Sequence, residues 1–230
     1  SRGTTRIGRH RDLAMRITSL VLAFSLAVPG LALAAQAIQD KPAKKPFTAE
    51  EVATFREPWA MAFLPDGRLL VTEKKGKLKL LGTDGKVGDV SGVPTVDYGG
   101  QGGLGDVVLH PDYARNAFVY YSYVEAGDND TRGAVVARAK LVLDDHGGGA
   151  LESPQVLWRQ DPKVDGRGHY SHRIAFGQGK LWITSGERQH FEPAQDMKAN
   201  LGKVIRLNDD GSLPADNPFA DQGGVAAQVW

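Results

Sequence analysis

The chain has 230 residues, 41% hydrophobic and 24% charged, a balance that allows a sizeable core and excludes a wholly disordered chain. With 28 Lys and Arg against 27 Asp and Glu the formal net charge is +1, and residues 36–230 taken alone carry −3, so nothing here offers nucleic acid an electrostatic footprint. The absence of cysteine excludes thiolate metal sites and cysteine nucleophiles.

In chain order, residues 1–14 read as upstream overhang before a natural start at Met15, with Arg16 as a short basic region. Ile17 to Gln39 contain no charge, Pro29-Gly30 interrupt the apolar run, and Ala32-Leu33-Ala34 supplies the small-x-small pattern of a signal peptidase site. Residues 15–37 are therefore expected to be an export signal cleaved after Ala34 or Ala37. That implies a periplasmic or secreted protein with no stable membrane span after cleavage. The competing reading is a membrane anchor, since the run is almost long enough to span a bilayer; the Pro-Gly break argues against it. Residues 38–51, polar and rich in Lys and Pro, read as a linker.

From Val52 onward short β-branched or aromatic runs bounded by Gly, Asp and Pro recur, with no 3.6-residue apolar period longer than about two turns, so the expected class is all-β. Met61–Glu73 (MAFLPDGRLLVTE) and Ile174–Glu187 (IAFGQGKLWITSGE) read as two copies of one hairpin. Each is followed by a second hairpin pattern, GKLKLLGTDGKV at Gly76–Val87 and GKVIRLNDDGSL at Gly202–Leu213, with Asp-Gly at the turn. A looser copy, GDVVLHPDYARNAFVYYSYVE, lies at Gly105–Glu125. Four-stranded units recurring in this way predict blades of a β-propeller. A β-sandwich is the alternative, but its strands need not resemble one another. About three blades fit before Trp230, so residues 52–230 are expected to be the truncated N-terminal half of a propeller whose flanks stay open.

Gly100-Gln101-Gly102-Gly103-Leu104-Gly105 matches a dinucleotide-binding pattern in letters only, because Asp106–Leu109 after it reads as a strand where a helix is required. The segment Gly168-His169-Tyr170-Ser171-His172-Arg173 precedes a repeat hairpin and puts polar side chains where loops line a propeller mouth. An imidazole there can take a proton from a substrate hydroxyl, although a lone loop histidine is more often a surface hydrogen-bonding residue. His169 and His172 lack a third zinc ligand nearby. The acidic stretches Gly127–Asp130 and Asp144–His146 lack the calcium-loop pattern and read as solvated turns.

Together the segments PWAMAFLPDGRLLVTEKKGKL, GGQGGLGDVVLHPDYARNAFVYYSY, GHYSHRIAF and PAQDMKANLGKVIRLNDDGSLPADNPF resemble the glucose/sorbosone dehydrogenase family, in particular its soluble aldose sugar dehydrogenase branch. The resemblance implies a six-bladed propeller that carries pyrroloquinoline quinone across its mouth with calcium beside it. It further implies oxidation of aldose sugars at C1 to lactones, with electrons passed to an external acceptor. By the same resemblance His169 is the general base, Gln101 hydrogen-bonds quinone and sugar, and Arg173 orients; no metal ligand is assigned in these residues. Two positions depart from the family pattern: Gly168 stands where glucose-oxidising relatives carry Asp, and His172 where a small residue is commoner. A Gly-His-Arg-Asn segment, further basic cofactor anchors and the calcium ligands are expected beyond Trp230, so this chain by itself is expected to be inactive. Two other readings stay open, a non-catalytic sugar- or protein-binding propeller and a calcium-dependent propeller lactonase.

Overall fold

The computed structural model describes residues 46–230. The overhang, the export signal and most of the linker therefore lie outside the described residues. Contacts along the chain define two units, Ser1–Ala49 and Glu50–Trp230, and all strands described below belong to the second.

Three successive blades account for those strands. The first consists of β1 (Pro58–Phe63), β2 (Leu69–Glu73), β3 (Lys77–Leu81) and β4 (Val87–Ser91). The second consists of β5 (Leu104–Leu109), β6 (Phe118–Ala126), β7 (Arg132–Leu143) and β8 (Gly149–Arg159). The third has β9 (Ser171–Gly177), β10 (Lys180–Ser185) and β11 (Lys203–Leu207). Within a blade every neighbouring pair is antiparallel, and in the first two blades the strands follow one another through short connections, which is what the Gly- and Asp-rich turn segments demand; in the third, β10 and β11 are joined by residues 186–202. The only α-helix among the described residues is the single turn Tyr113–Asn116, and no helix among them is long and apolar enough to cross a membrane.

The two complete blades share one eight-stranded sheet, ordered β1-β2-β3-β4-β8-β7-β6-β5, because β4 runs parallel to the start of β8 through Val90↔Gly149 and Ser91↔Ala150. The third blade is a separate sheet, β11-β10-β9. β5 packs against β1 on one side and β9 on the other. The middle blade is thus buried on both faces, and β6 shows why its sequence, FVYYSYV, hardly alternates. Val119, Tyr121 and Tyr123 pack into one core with Leu70, Leu78 and Leu80 of the first blade. Tyr120 and Val124 pack into a second core with Leu181, Ile183 and Ile205 of the third. Successive side chains of a strand face opposite ways, so a doubly covered strand needs apolar residues at both parities. Each such side chain contributes roughly 1.5–3 kcal/mol by leaving water. Ser122 is the polar exception on the face toward the third blade.

One expectation is corrected. The Gly202–Leu213 segment is not a second hairpin: β11 ends at Leu207, and its Asp-Gly turn closes on Asn208, whose N–H meets the Ser212 carbonyl at 2.9 Å. The chain then runs through two 3₁₀ turns, and Val229 takes the place of a fourth strand by bridging to Ile205. The reason is Asn217, a buried side chain that donates to the carbonyls of Arg206 (2.9 Å) and Ala227 (2.8 Å), which secures this stretch as a covering loop. Pro214 and Pro218 on either side of it further oppose strand pairing.

Candidate active site

Two connections meet at one end of the blades. The loop before β5 donates its Gln101 N–H to the Arg167 carbonyl in the loop before β9 (2.8 Å). Arg167 answers with Nη1 on the Asp97 carboxylate (2.5 Å) and the Tyr98 carbonyl (3.0 Å). Asp97 also accepts Arg132 Nε at 2.9 Å; against the burial that raises it, these two guanidiniums hold its carboxyl below the ordinary value. Arg188 fixes the second loop from beneath. It is 1% exposed, donates to the carbonyls of Gly168 (2.9 Å), Arg132 (2.8 Å) and Gly166 (2.6 Å), and its guanidinium lies 3.7 Å from the Tyr170 ring centre. A buried cation satisfied by carbonyls in this way leaves the loop little freedom.

The β9–β10 hairpin then sets which side chains meet. Its register runs from Gly177↔Lys180 to Ile174↔Ile183, slips by one residue, and resumes at Ser171↔Ser185. The slip is a β-bulge, with Ser171 (φ 59°) and His172 (φ 52°) both left-handed and the Arg173 N–H on Thr184 Oγ1 at 3.1 Å. Extended past the strand ends, the shifted register sets His169 opposite Glu187. Their side chains meet, Nδ1 to Oε1 at 2.5 Å. Between the two strands Gly186 approaches so closely that a Cβ on it would lie 1.8 Å from the His169 carbonyl oxygen. Glu187 keeps its carboxyl below the ordinary value, chiefly through the hydrogen bond from His169. A carboxylate can only accept, so His169 carries its proton on Nδ1 and leaves the Nε2 lone pair available. Gln101 supports the same residue from the other loop: its Oε1 accepts the His169 backbone N–H at 2.9 Å, which turns its NH₂ away as a donor.

Behind this outer wall lies a second polar layer. His172 is 2% exposed, and its Nδ1 is 2.6 Å from Ser122 Oγ on β6. Burial, then the positive charges of Arg173 and Arg188, push the His172 pKa down to about 4. Asp106 on β5 is also buried; its N–H donates to Ser122 Oγ (2.8 Å), and its carboxylate accepts the N–H groups of Ile174 (2.8 Å) and Val107 (3.0 Å). Burial nevertheless raises its carboxyl above the ordinary value. Arg173, mostly exposed, reaches Asp106 at 3.3 Å.

His169, Gln101, Arg173, His172 and Glu187 line one cleft of about 430 Å³, with Trp59 from β1 on its wall. All three residues singled out by the resemblance thus share one cleft. Glu187, Arg188, Ser122 and Asp106 were not foreseen. Larger hollows of about 530 Å³ beside Trp158 and about 660 Å³ against Met61 and Phe63 contain no histidine, so the smaller cleft is the candidate site. Among the described residues no group of three or more His, Asp or Glu could hold a metal ion.

The family model for Glucose / Sorbosone dehydrogenase matches residues 55–230. The chain is 40% identical over 176 residues to the aldose sugar dehydrogenase YliI of Escherichia coli (strain K12), covering 75% of this chain and 47% of that protein. Among solved structures it is similar to a glucose dehydrogenase, with TM-score 0.75 and 36% identity over 80% of this chain and 54% of the other. It is also similar to the PQQ-bound form of an aldose sugar dehydrogenase from Streptomyces coelicolor, with TM-score 0.65 and 28% identity over 80% and 53%. The chain spans about half the length of these relatives.

Proposed function

The chain belongs to the glucose/sorbosone dehydrogenase family, and from that premise we propose that the intact protein carrying it is an exported quinoprotein that oxidises aldose sugars at C1 to lactones. The observation that carries this reading is the His169–Glu187 pair at 2.5 Å on the cleft wall. Glu187 holds the imidazole in the Nδ1–H form and stabilises the cation that forms when Nε2 takes a proton. His169 would accept the proton of the anomeric hydroxyl there.

The donors in the cleft suit a flat ligand rich in oxygen acceptors. Gln101 offers its NH₂, Arg173 a guanidinium and Trp59 an aromatic wall, in a cleft of a volume usual for small molecules. These residues would hold pyrroloquinoline quinone and orient the sugar beside it. When bound, the quinone supplies the acceptor for the hydride leaving C1, and an external acceptor then collects the electrons. Among the described residues Arg173 is the one Arg or Lys on the cleft lining, too little positive charge to hold a polycarboxylate tightly, so the 230-residue chain alone should bind the quinone weakly even with calcium. Calcium itself finds no cluster among the described residues. The uncharged run Ile17 to Gln39 supports export to the periplasm or beyond.

The test is His169→Ala in the intact protein, reconstituted with quinone and calcium. Dye-linked aldose oxidation should fall steeply while quinone binding persists; near-normal turnover would refute the assignment.

A further inference from the structure

His172 sits three positions from His169 in the sequence yet occupies the opposite chemical situation. The burial alternation of β9 turns it inward with Ile174. A Cβ on Gly105 would lie 2.1 Å from its Cε1 and 2.5 Å from its Nδ1, so a side chain at position 105 would evict it and the ring is clamped on that edge. Its Nδ1 is engaged by Ser122 Oγ at 2.6 Å. That oxygen accepts the Asp106 N–H at 2.8 Å, and among the described residues the imidazole is the one acceptor its own hydrogen can reach. An Nδ1 that accepts leaves the proton of a neutral ring on Nε2.

Among the described residues Nε2 has no hydrogen-bond partner. Among the described residues the only fully buried side-chain nitrogen or oxygen without a partner is Arg206 Nε, so His172 Nε2 must reach the surface, and the surface that His172 lines is the cleft. The ring is a nearly buried polar group with one unspent donor directed at the ligand space, an arrangement that costs stability unless something is bound there. Charged groups around it favour neutrality: Arg173 adjoins it on β9 and Arg188 lies beyond Tyr170, while Asp106 stands behind Ser122 and is itself paired with Arg173. As an Nε2–H donor it cannot compete with His169 for a substrate proton.

We propose that His172 is a ligand-binding residue of the cleft, a fixed and uncharged N–H donor to an oxygen acceptor of the bound molecule, supplied by the quinone or by the sugar. This rests on the redox reading of the cleft, and the two can fail separately.

The experiment uses the intact protein, titrated with pyrroloquinoline quinone in calcium and separately assayed for the KM of glucose. His172→Phe keeps a ring and removes the donor. Ser122→Ala keeps the imidazole and removes the partner that sets its tautomer. Both variants should weaken quinone binding or raise the glucose KM by about three- to tenfold, the usual cost of one neutral hydrogen bond. The arm that moves identifies whose oxygen is bound. Nitrogen-15 spectra of the parent should show a neutral Nε2–H ring from pH 6 to 8 whose Nε2 signal shifts when ligand is added. An Nδ1–H or charged ring, or folded variants that change neither constant by more than twofold, would overturn the proposal. Should His172→Phe fail to fold, Ser122→Ala and the nitrogen spectrum decide the matter. If the parent binds no quinone, the redox reading fails, and His172 is then judged by its tautomer and by its spectral response to glucose alone.

Discussion

The outer and inner walls of the cleft put the same side chain to opposite uses. On the outer wall His169 is about half exposed and its Nδ1 is tied to a carboxylate. On the inner wall His172 is buried, tied to a hydroxyl and flanked by arginines, which favours staying neutral. Both walls come from one bulged segment, so their difference arises from what the neighbouring strands bring: β10 leads to Glu187, and β6 contributes Ser122. A histidine's role in this site is thus set by its partner and its access to water rather than by its place in the chain.

Substitutions on either wall test that contrast. The largest effect is expected for His169→Ala, which should lower kcat by roughly 10²–10⁴-fold in steady-state assays of the reconstituted protein. The inner wall makes the next prediction, in stability. An unfolded histidine titrates at its ordinary value of 6.5, whereas folded His172 titrates at about 4, so between those pH values the unfolded state binds more protons. Stability should be fully present above pH 6.5 and decline as pH falls to about 4, by roughly 3 kcal/mol. Urea unfolding across that window checks it, and His172→Phe should remove this component. Gly105→Ala would force a methyl into the clamped imidazole and should cost about 2 kcal/mol in the same measurement at pH 7. Glu187→Gln keeps an acceptor beside His169 but removes the charge; kcat should drop about tenfold while the urea midpoint stays put. If Glu187→Gln left kcat unchanged, the outer wall would lose its distinction from the inner one.

The blades were legible because their evidence is local. The repeats beginning at Met61, Gly105 and Ile174 open on β1, β5 and β9, the leading strand of each blade. The G-x-G-x-x-G letters lead into strand β5, as the run Asp106–Leu109 indicates. Gln101, His169 and Arg173 were found by resemblance, and the fold carries them to one cleft. Glu187 was hidden for a specific reason. The two-residue turn Gln178-Gly179 sets a register that would place Glu187 across from Tyr170; the bulge at Ser171-His172 shifts it by one, and no periodicity reports a bulge in advance. Ser122 did leave a signal, as the one small polar residue within the aromatic and β-branched run of residues 118–124 in β6. The missing fourth strand of the third blade was misread because Asp-Gly marks a turn without saying what the chain pairs with afterwards.

The parallel pairing of β4 with β8 has a consequence for how the molecule breathes. It makes the first two blades a single hydrogen-bonded sheet, while the third keeps its own. Amide hydrogens of β1–β8 should therefore exchange together, in the slowest cooperative event, and those of β9–β11 in a separate and more frequent opening. His169 and Glu187 flank the β9–β10 hairpin, whereas Gln101 precedes β5 and Ser122 lies on β6. A transient opening of the third sheet would carry His169 and Glu187 together away from Gln101, and His172 away from Ser122, so ligand that bridges both sheets should slow exchange in β9 and β10 before it affects any other strand.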